Sequence, residues 1–154
     1  MNVVIYARVS TDKQELENQL VQLRVFANKN NWIVIKEYCE VISGNSQSRE
    51  QFSELFRDAH KKMFDLVLFW DLSRFSRSGT LYTLQKLTEL QNLNIEWHSF
   101  QEPYISSAGQ FRDVVLAILS TLAKIEREKI SERTKAGLQL AIKNGKKLGR
   151  RAGV

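Results

Sequence analysis

Val3-Val4-Ile5-Tyr6-Ala7-Arg8-Val9-Ser10 is the stretch on which the fold turns. Val3, Val4 and Ile5 form a β-branched run without polar interruption, the pattern of a strand buried on both faces of a sheet. The run stops at Ser10-Thr11 and an amphipathic helical pattern follows, so Ser10 sits where a parallel strand passes to a helix. In open α/β sheets ligands bind at that edge, and the start of the helix favours anions. Arg8, two residues earlier, projects to the same side of an extended strand as Ser10. A hydroxyl and a guanidinium displayed together point to chemistry on a phosphate.

Working outward, Asp12 and Glu15 have the spacing of a capping box, with Asp replacing the usual Ser or Thr. Leu16, Leu20, Leu23 and Ala27 then give a helical stripe to about Lys29. Trp32–Tyr38 reads as a second strand, and the polar 43–48 loop ends at Arg49. A helix from Arg49 to about Lys61 turns Phe52, Leu55 and Phe56 inward. Leu66–Trp70 is a third buried strand, running into Asp71-Leu72-Ser73-Arg74-Phe75-Ser76-Arg77, read as a loop. A helix with Leu81, Leu84, Leu87 and Leu90 follows, then a more exposed fourth strand over Asn94–Phe100. Strands alternating with helices predict an α/β fold, a three-layer sandwich around a mostly parallel four- or five-stranded sheet.

The last pattern differs in kind. Gly109 to Asn144 is proline-free, with Phe111, Val114, Val115, Ile118, Leu119, Leu122 and Ile125 on one stripe that Ile130, Leu138 and Ile142 extend loosely. One helix of that length spans about 54 Å, beyond the roughly 30 Å of a small domain, so its own sheet cannot cover it. A second copy of the chain is the simplest cover, which predicts a dimerisation helix. A break at Gly137 into two shorter helices is the alternative. The predicted organisation is a catalytic core over 1–105, the long helix over 106–144 and a basic linker over 145–154.

At 154 residues the chain suits one well-cored domain. No run of about 18 apolar residues predicts a membrane span, and the N-terminus lacks a secretory layout. Cys39 stands alone, excluding an internal disulfide and a cysteine metal cluster, as expected in a reducing cytoplasm. The net charge of +6 is unevenly placed. Residues 1–123 carry 13 Lys and Arg against 14 Asp and Glu, whereas 124–154 carry 10 against 3. A basic end on a near-neutral body is a footprint of nucleic-acid binding, with a solubilising tail as the alternative.

Arg8, Arg49, Arg74 and Arg77 each follow a strand, so folding the sheet is expected to gather them at one edge. Arginine stays charged and presents a planar fork matched to phosphate oxygens. Several around one phosphate could neutralise the charge of a pentacovalent transition state, with Ser10 as nucleophile. His60 and His98 fall elsewhere, so activation by arginines is more economical than by a histidine base. Taken singly, each residue has a plainer reading. Arg8 or Arg49 could be a surface ion-pair residue, Ser10 a helix-start residue, the two histidines structural, and Trp32, Trp70 and Trp97 core. No metal-ligand spacing is present.

Tyr6-Ala7-Arg8-Val9-Ser10-Thr11, with Gln14 and Gln19, resembles the opening of the serine site-specific recombinases, the resolvase/invertase family. Ser43-Gly44 followed by Arg49 is similar to that family's active-site loop. Leu72-Ser73-Arg74-Phe75-Ser76-Arg77 resembles its Leu-Asp-Arg-Leu-Ser-Arg segment. Glu126-Arg127 and Ser131-Glu132-Arg133-Thr134-Lys135-Ala136-Gly137 match its long dimer helix. The likeness runs in order over about residues 2–151. It implies attack of Ser10 on a DNA phosphodiester, giving a 5′-phosphoserine link and a free 3′-hydroxyl, with no ATP, metal or other cofactor. It implies a homodimer that synapses into a tetramer on double-stranded DNA, exchanges strands by subunit rotation and rejoins them. Arg8, Arg74 and Arg77 would grip the phosphate, Arg49 would join them from the loop, and Gln14, Gln19 and Ser43 would support. Glu126 and Arg127 would organise site and interface, and Arg133, Lys135, Lys143, Lys146, Lys147, Arg150 and Arg151 would lie along DNA. Cytoplasmic, nucleoid-associated action and a mobile-element origin follow from the same likeness.

Two departures stand out. The family places Asp immediately before the first arginine of its segment, where this chain has Ser73, with Asp71 two residues earlier. A catalytically weak DNA-binding or regulatory relative is therefore one rival reading, and a phosphatase or nuclease using the same arginines is another. Asn144–Arg151 resembles the linker into a DNA-reading domain, so the expectation is a catalytic domain alone or a shortened gene product.

Overall fold

The computed structural model describes residues 1–42, 49–107 and 112–149, with Val115 described for its backbone alone. Ser43, the rest of the 43–48 loop, Phe111, the Val115 side chain, Arg150 and Arg151 lie outside the described residues.

Strand β1 (Asn2–Val9) leads to helix α1 (Lys13–Lys29), β2 (Ile33–Val41), α2 (Glu50–His60) and β3 (Leu66–Phe69). A short helix α3 (Leu72–Phe75), α4 (Thr80–Asn92), β4 (Glu96–Ser99), a 3₁₀ turn (Pro103–Ile105) and α5 (Arg112–Lys143) complete the order. The four strands form one parallel sheet in the order β2-β1-β3-β4. The chain moves from β1 to one side for β2, then to the other for β3. The direction of winding thus reverses between β1 and β3, and the carboxyl ends of those two strands flank the crevice where α/β sheets bind ligands.

The first strand shows why the sandwich has three layers. Val3, Ile5 and Ala7 pack with Leu20, Leu23 and Ala27 of α1 on one face. Val4 and Tyr6 pack with Phe52, Leu55 and Phe56 of α2 and Leu87 and Leu90 of α4 on the other. A strand covered on both faces needs no polar alternation, which is what its apolar run encodes.

Several boundaries differ from the sequence expectations. The second strand runs three residues past Tyr38, because Ala7, Arg8 and Val9 continue the ladder with Cys39, Glu40 and Val41. The stretch after β3 contains a helical turn, not a plain loop, because Asp71 caps it by accepting from the Arg74 backbone N–H at 2.7 Å. The fourth strand is shorter than expected and less exposed, with Trp97 and Ser99 buried. In α4 the buried residues are Thr83, Leu87 and Leu90. A strict spacing of three drifts around a 3.6-residue helix, which leaves Leu81 and Leu84 half-buried.

Helix α5 is continuous through Gly137 and, at 32 residues, about 48 Å long. Its first half touches the body through Leu116, Leu119 and the fully buried Ala123. Val114, Ile118, Leu122 and Ile125 are 41–56% exposed, and every residue from 127 to 140 is exposed. Among the described residues no helix is long and apolar enough to cross a membrane.

Candidate active site

Arg8 is the penultimate residue of β1 and shares the face of Val4 and Tyr6. Its guanidinium spans the crevice to the next strand's exit. Nε donates to the Arg74 carbonyl at 3.0 Å, and Nη2 donates to the Ser73 carbonyl. Arg74 answers by donating from Nη1 to the Arg8 carbonyl at 3.4 Å. These reciprocal bonds tie the strand end that precedes Ser10 to the turn that precedes Arg77. That turn is held in place by two carboxylates. Asp71 also accepts from the Ser73 hydroxyl at 2.6 Å, and Glu102 accepts from the Leu72 N–H at 2.9 Å.

Arg49 reaches the same place from the start of α2. Its Nη2 donates to the Phe75 carbonyl at 2.8 Å and to the Tyr6 hydroxyl at 3.1 Å. Its Nε stands 3.9 Å from Glu40, and its guanidinium lies 3.8 Å over the Phe52 ring, a cation–π contact. Nε and Nη1 of Arg49 are buried with no hydrogen-bond partner among the described residues. Such a guanidinium has donors left for an oxyanion. Tyr6 in turn donates to Glu40 at 2.5 Å, and burial holds its phenol well above the ordinary range, so it remains protonated.

Arg8 shows the electrostatic character of the cluster. Burial lowers its pKa, and the nearby charges of Arg49, Arg77 and Arg74 lower it further. Guanidinium groups that lower one another's pKa in this way favour an entering anion. Arg77 is exposed and lines a cleft of about 370 Å³ with Ser73, Ser76, Gly79, Thr80 and Leu119. Gly79 begins α4 at φ +89°, a left-handed conformation that favours glycine, and a Cβ there would come 3.9 Å from Glu126 Oε2. Glu126 thus lies beside the start of α4, while Arg127 is exposed.

Ser10 follows Val9 at the end of β1, exposed, and its hydroxyl makes no hydrogen bond among the described residues. Gln14 is exposed in the first turn of α1, and its backbone N–H donates to Asp12 at 2.8 Å. Gln19 is buried and connects to the cluster through Glu15, which pairs with Arg74 at 2.7 Å. Arg133, Lys135, Lys143, Lys146 and Lys147 are all exposed along and beyond the free half of α5. His60 pairs with Glu89 at 2.8 Å and His98 stacks on Phe26, both away from the arginines. Among the described residues no group of three or more His, Cys, Asp or Glu is arranged to hold a metal ion.

The sequence reading did not single out Tyr6, Glu15, Glu40 or Glu102 as site residues. Tyr6 had a signal, since Tyr6, Arg8 and Ser10 alternate along one strand face. Glu40 had none while the second strand was ended at Tyr38; in the ladder it is the direct partner of Arg8. Glu15 has the capping-box position, but its carboxylate turns to Arg74 and Gln19, leaving Asp12 alone to cap α1.

The family model for the resolvase N-terminal domain matches residues 3–147. A resolvase from Clostridium perfringens is 33% identical over 150 residues, covering 96% of this chain and 76% of the relative. The transposon Tn3 resolvase of Escherichia coli is 34% identical over 152 residues, covering 98% and 77%. Among solved structures, a resolvase family site-specific recombinase from Streptococcus pneumoniae superposes with a TM-score of 0.80 at 29% identity, covering 93% of this chain and 99% of that one. The N-terminal catalytic domain of TP901-1 integrase gives 0.71 at 30% identity, covering 83% and 98%.

Proposed function

This chain belongs to the resolvase family and is a site-specific recombinase, and from that premise we propose that Ser10 is the nucleophile that opens the DNA backbone. Its oxygen bonds to phosphorus as the P–O3′ bond breaks, the seryl proton is released, and the departing 3′-oxygen takes one up. The product is a 5′-phosphoserine ester and a free 3′-hydroxyl. Rejoining runs the same exchange backwards. Arg8, Arg74, Arg77 and Arg49 hold the non-bridging oxygens and offset the charge that grows in the transition state. Gln14, Gln19 and Ser43 support the cluster.

One observation carries the reading. Arg8 and Arg74 bind each other's backbone carbonyls at 3.0 and 3.4 Å at the switch point of the sheet, with Arg8 two residues before an exposed Ser10 whose hydroxyl has no hydrogen bond among the described residues. Ser73 replaces the family's Asp, yet a carboxylate is still present, since Asp71 binds both the Ser73 hydroxyl and the Arg74 N–H. This favours an active enzyme over a regulatory relative.

Residues 1–105 form the catalytic core, 106–144 the dimerisation helix and 145–154 the linker in this reading. A second copy covers the apolar stripe of α5, two dimers form the synaptic tetramer, and Arg133, Lys135, Lys143, Lys146, Lys147, Arg150 and Arg151 follow the DNA backbone. The action is cytoplasmic, on nucleoid DNA. Phosphate contacts give affinity and position without reading bases, so binding weakens steeply with salt.

The test is a nicked suicide duplex incubated with the protein and resolved under denaturing conditions. A covalent protein–DNA adduct that disappears in Ser10→Ala is expected. Repeated turnover with water and no adduct would identify a phosphatase or nuclease instead.

A further inference from the structure

We propose that Glu15 is a resident counter-ion of the arginine cluster, holding Arg74 in the DNA-free protein and giving it up when a phosphate enters. The proposal rests on reading the cluster as a phosphate site. It adds a positioning residue on α1 that decides how strongly an anion must compete to gain the cluster.

Glu15 Oε1 lies 2.7 Å from Arg74 Nη2, and the two side chains are 38% and 31% exposed. A contact that open can be exchanged without unfolding anything around it. The other arginines are engaged differently. Arg8 is held by backbone carbonyls, and Arg49 by a carbonyl, a phenol and the more distant Glu40. Among the described residues Arg74 is the member of the cluster with a carboxylate at hydrogen-bonding distance. A phosphate arriving at Arg74 would face that carboxylate across one guanidinium, and like charges at such a distance repel. One of the two must leave.

Gln19 supplies a second, independent sign. Gln19 is 3% exposed, its Nε2 donates to the same Glu15 oxygen at 3.3 Å, and its own Oε1 is buried without a partner among the described residues. An amide with one end beside a carboxylate must present its NH₂ there, so Glu15 dictates which way Gln19 faces. The orphaned oxygen is the cost of that orientation. Once the carboxylate moves away, Gln19 is free to turn. The Glu15–Gln19 pair therefore has two arrangements, one for the empty cluster and one for the filled cluster.

The experiment titrates wild type, Glu15→Gln and Glu15→Asp with inorganic phosphate while following the arginine side-chain N–H signals by NMR. Glu15→Gln keeps the shape and removes the charge, and phosphate is expected to bind about fivefold tighter, the scale set by releasing a half-exposed ion pair. Its Arg74 signal should already be displaced before phosphate is added. Glu15→Asp keeps the charge and should titrate close to wild type. Equal affinity in wild type and Glu15→Gln, or weaker affinity in Glu15→Gln, would overturn the proposal, the latter by showing that Glu15 holds Arg74 ready for phosphate. Should Glu15→Gln not fold, Gln19→Leu removes the second support of the carboxylate; about twofold tighter binding is expected, and no change overturns the idea. The suicide-duplex adduct is read alongside. Adduct formation with unchanged phosphate affinity rejects the counter-ion alone, whereas tighter phosphate binding in a protein that never forms an adduct rejects the recombinase roles and leaves the counter-ion standing.

Discussion

The arginine rim and the free half of α5 are built on opposite terms. At the rim, residues far apart in sequence hold one another, as when Arg8 meets Arg74 and Arg49 meets Tyr6 and Phe75. Along α5 beyond Glu126, residues 127–140 are all exposed, and the only order is that of the helix itself. An isolated helix of that kind is marginal in water, because helical stability in proteins comes mostly from packing an apolar face. The lesson is a division of labour. The proposed site is assembled within one chain, whereas the exposed stripe of the long helix is the surface that the proposed reading gives to a second copy.

The largest expected effect lies at the rim. Ser10→Ala should reduce the covalent adduct to background while leaving binding to duplex DNA within about twofold, as when a lone nucleophile is removed from an intact site. Loss of both together would mean that Ser10 supports the strand-to-helix passage and would break the contrast at its strongest point. Next, Arg74→Ala should slow adduct formation by about 10²–10³-fold, the range for removing one group that stabilises transition-state charge. Single-turnover kinetics on the nicked duplex measure it. A larger thermal destabilisation is expected for Arg8→Ala than for Arg74→Ala, because Arg8 also binds the Ser73 and Arg74 carbonyls from a half-buried position.

How much of this was legible follows the same division. The apolar run at Val3–Ile5 could be read because a strand covered on both faces admits no polar residue, and the four arginines could be placed because each follows a strand. What escaped reading depended on partners remote in sequence. Glu40 lay beyond the expected end of the second strand until the ladder opposite Arg8 extended to it. Glu15 looked like a cap because local spacing cannot reveal that Arg74, 59 positions later, would claim its carboxylate. The turn at Leu72–Phe75 was hidden because four residues carry no helical periodicity, and only the Asp71 cap marks it. Helix α5 was readable almost in full, since it is shaped by local pattern.

A smaller effect tests the helix. Ile130→Asp and Leu138→Asp replace exposed apolar residues, so the dilute protein should keep its thermal midpoint, with a stability change within about 0.5 kcal/mol. Self-association should weaken by at least about tenfold, since a charge would be buried unpaired at the contact, and sedimentation at graded concentrations reads it. If both variants associate like wild type, the exposed stripe is not the face that meets a second copy. If the dilute variants lose stability instead, the free half of α5 packs on its own body, and the contrast between the two regions fails.

The smallest expected effect belongs to the body and depends on pH. Asp58 is buried at the end of α2, accepting from the Tyr38 hydroxyl at 2.7 Å and from Lys36 at 2.9 Å. The Tyr38 bond, then the Lys36 bond, hold its carboxyl below the usual aspartate range. A carboxyl with a lowered folded-state pKa adds stability that is fully present above its unfolded value, about 3.9, and is lost as pH falls through the folded one. Asp58→Asn should therefore cost about 1 kcal/mol at neutral pH, and the gap to wild type should close in acid below about pH 4. Urea titrations at several pH values measure it. Because Lys36, Tyr38 and Asp58 all belong to β2 and α2, the gap should be independent of protein concentration. A gap that grows with concentration would place this network at a contact between copies and move part of the body to the side of the long helix.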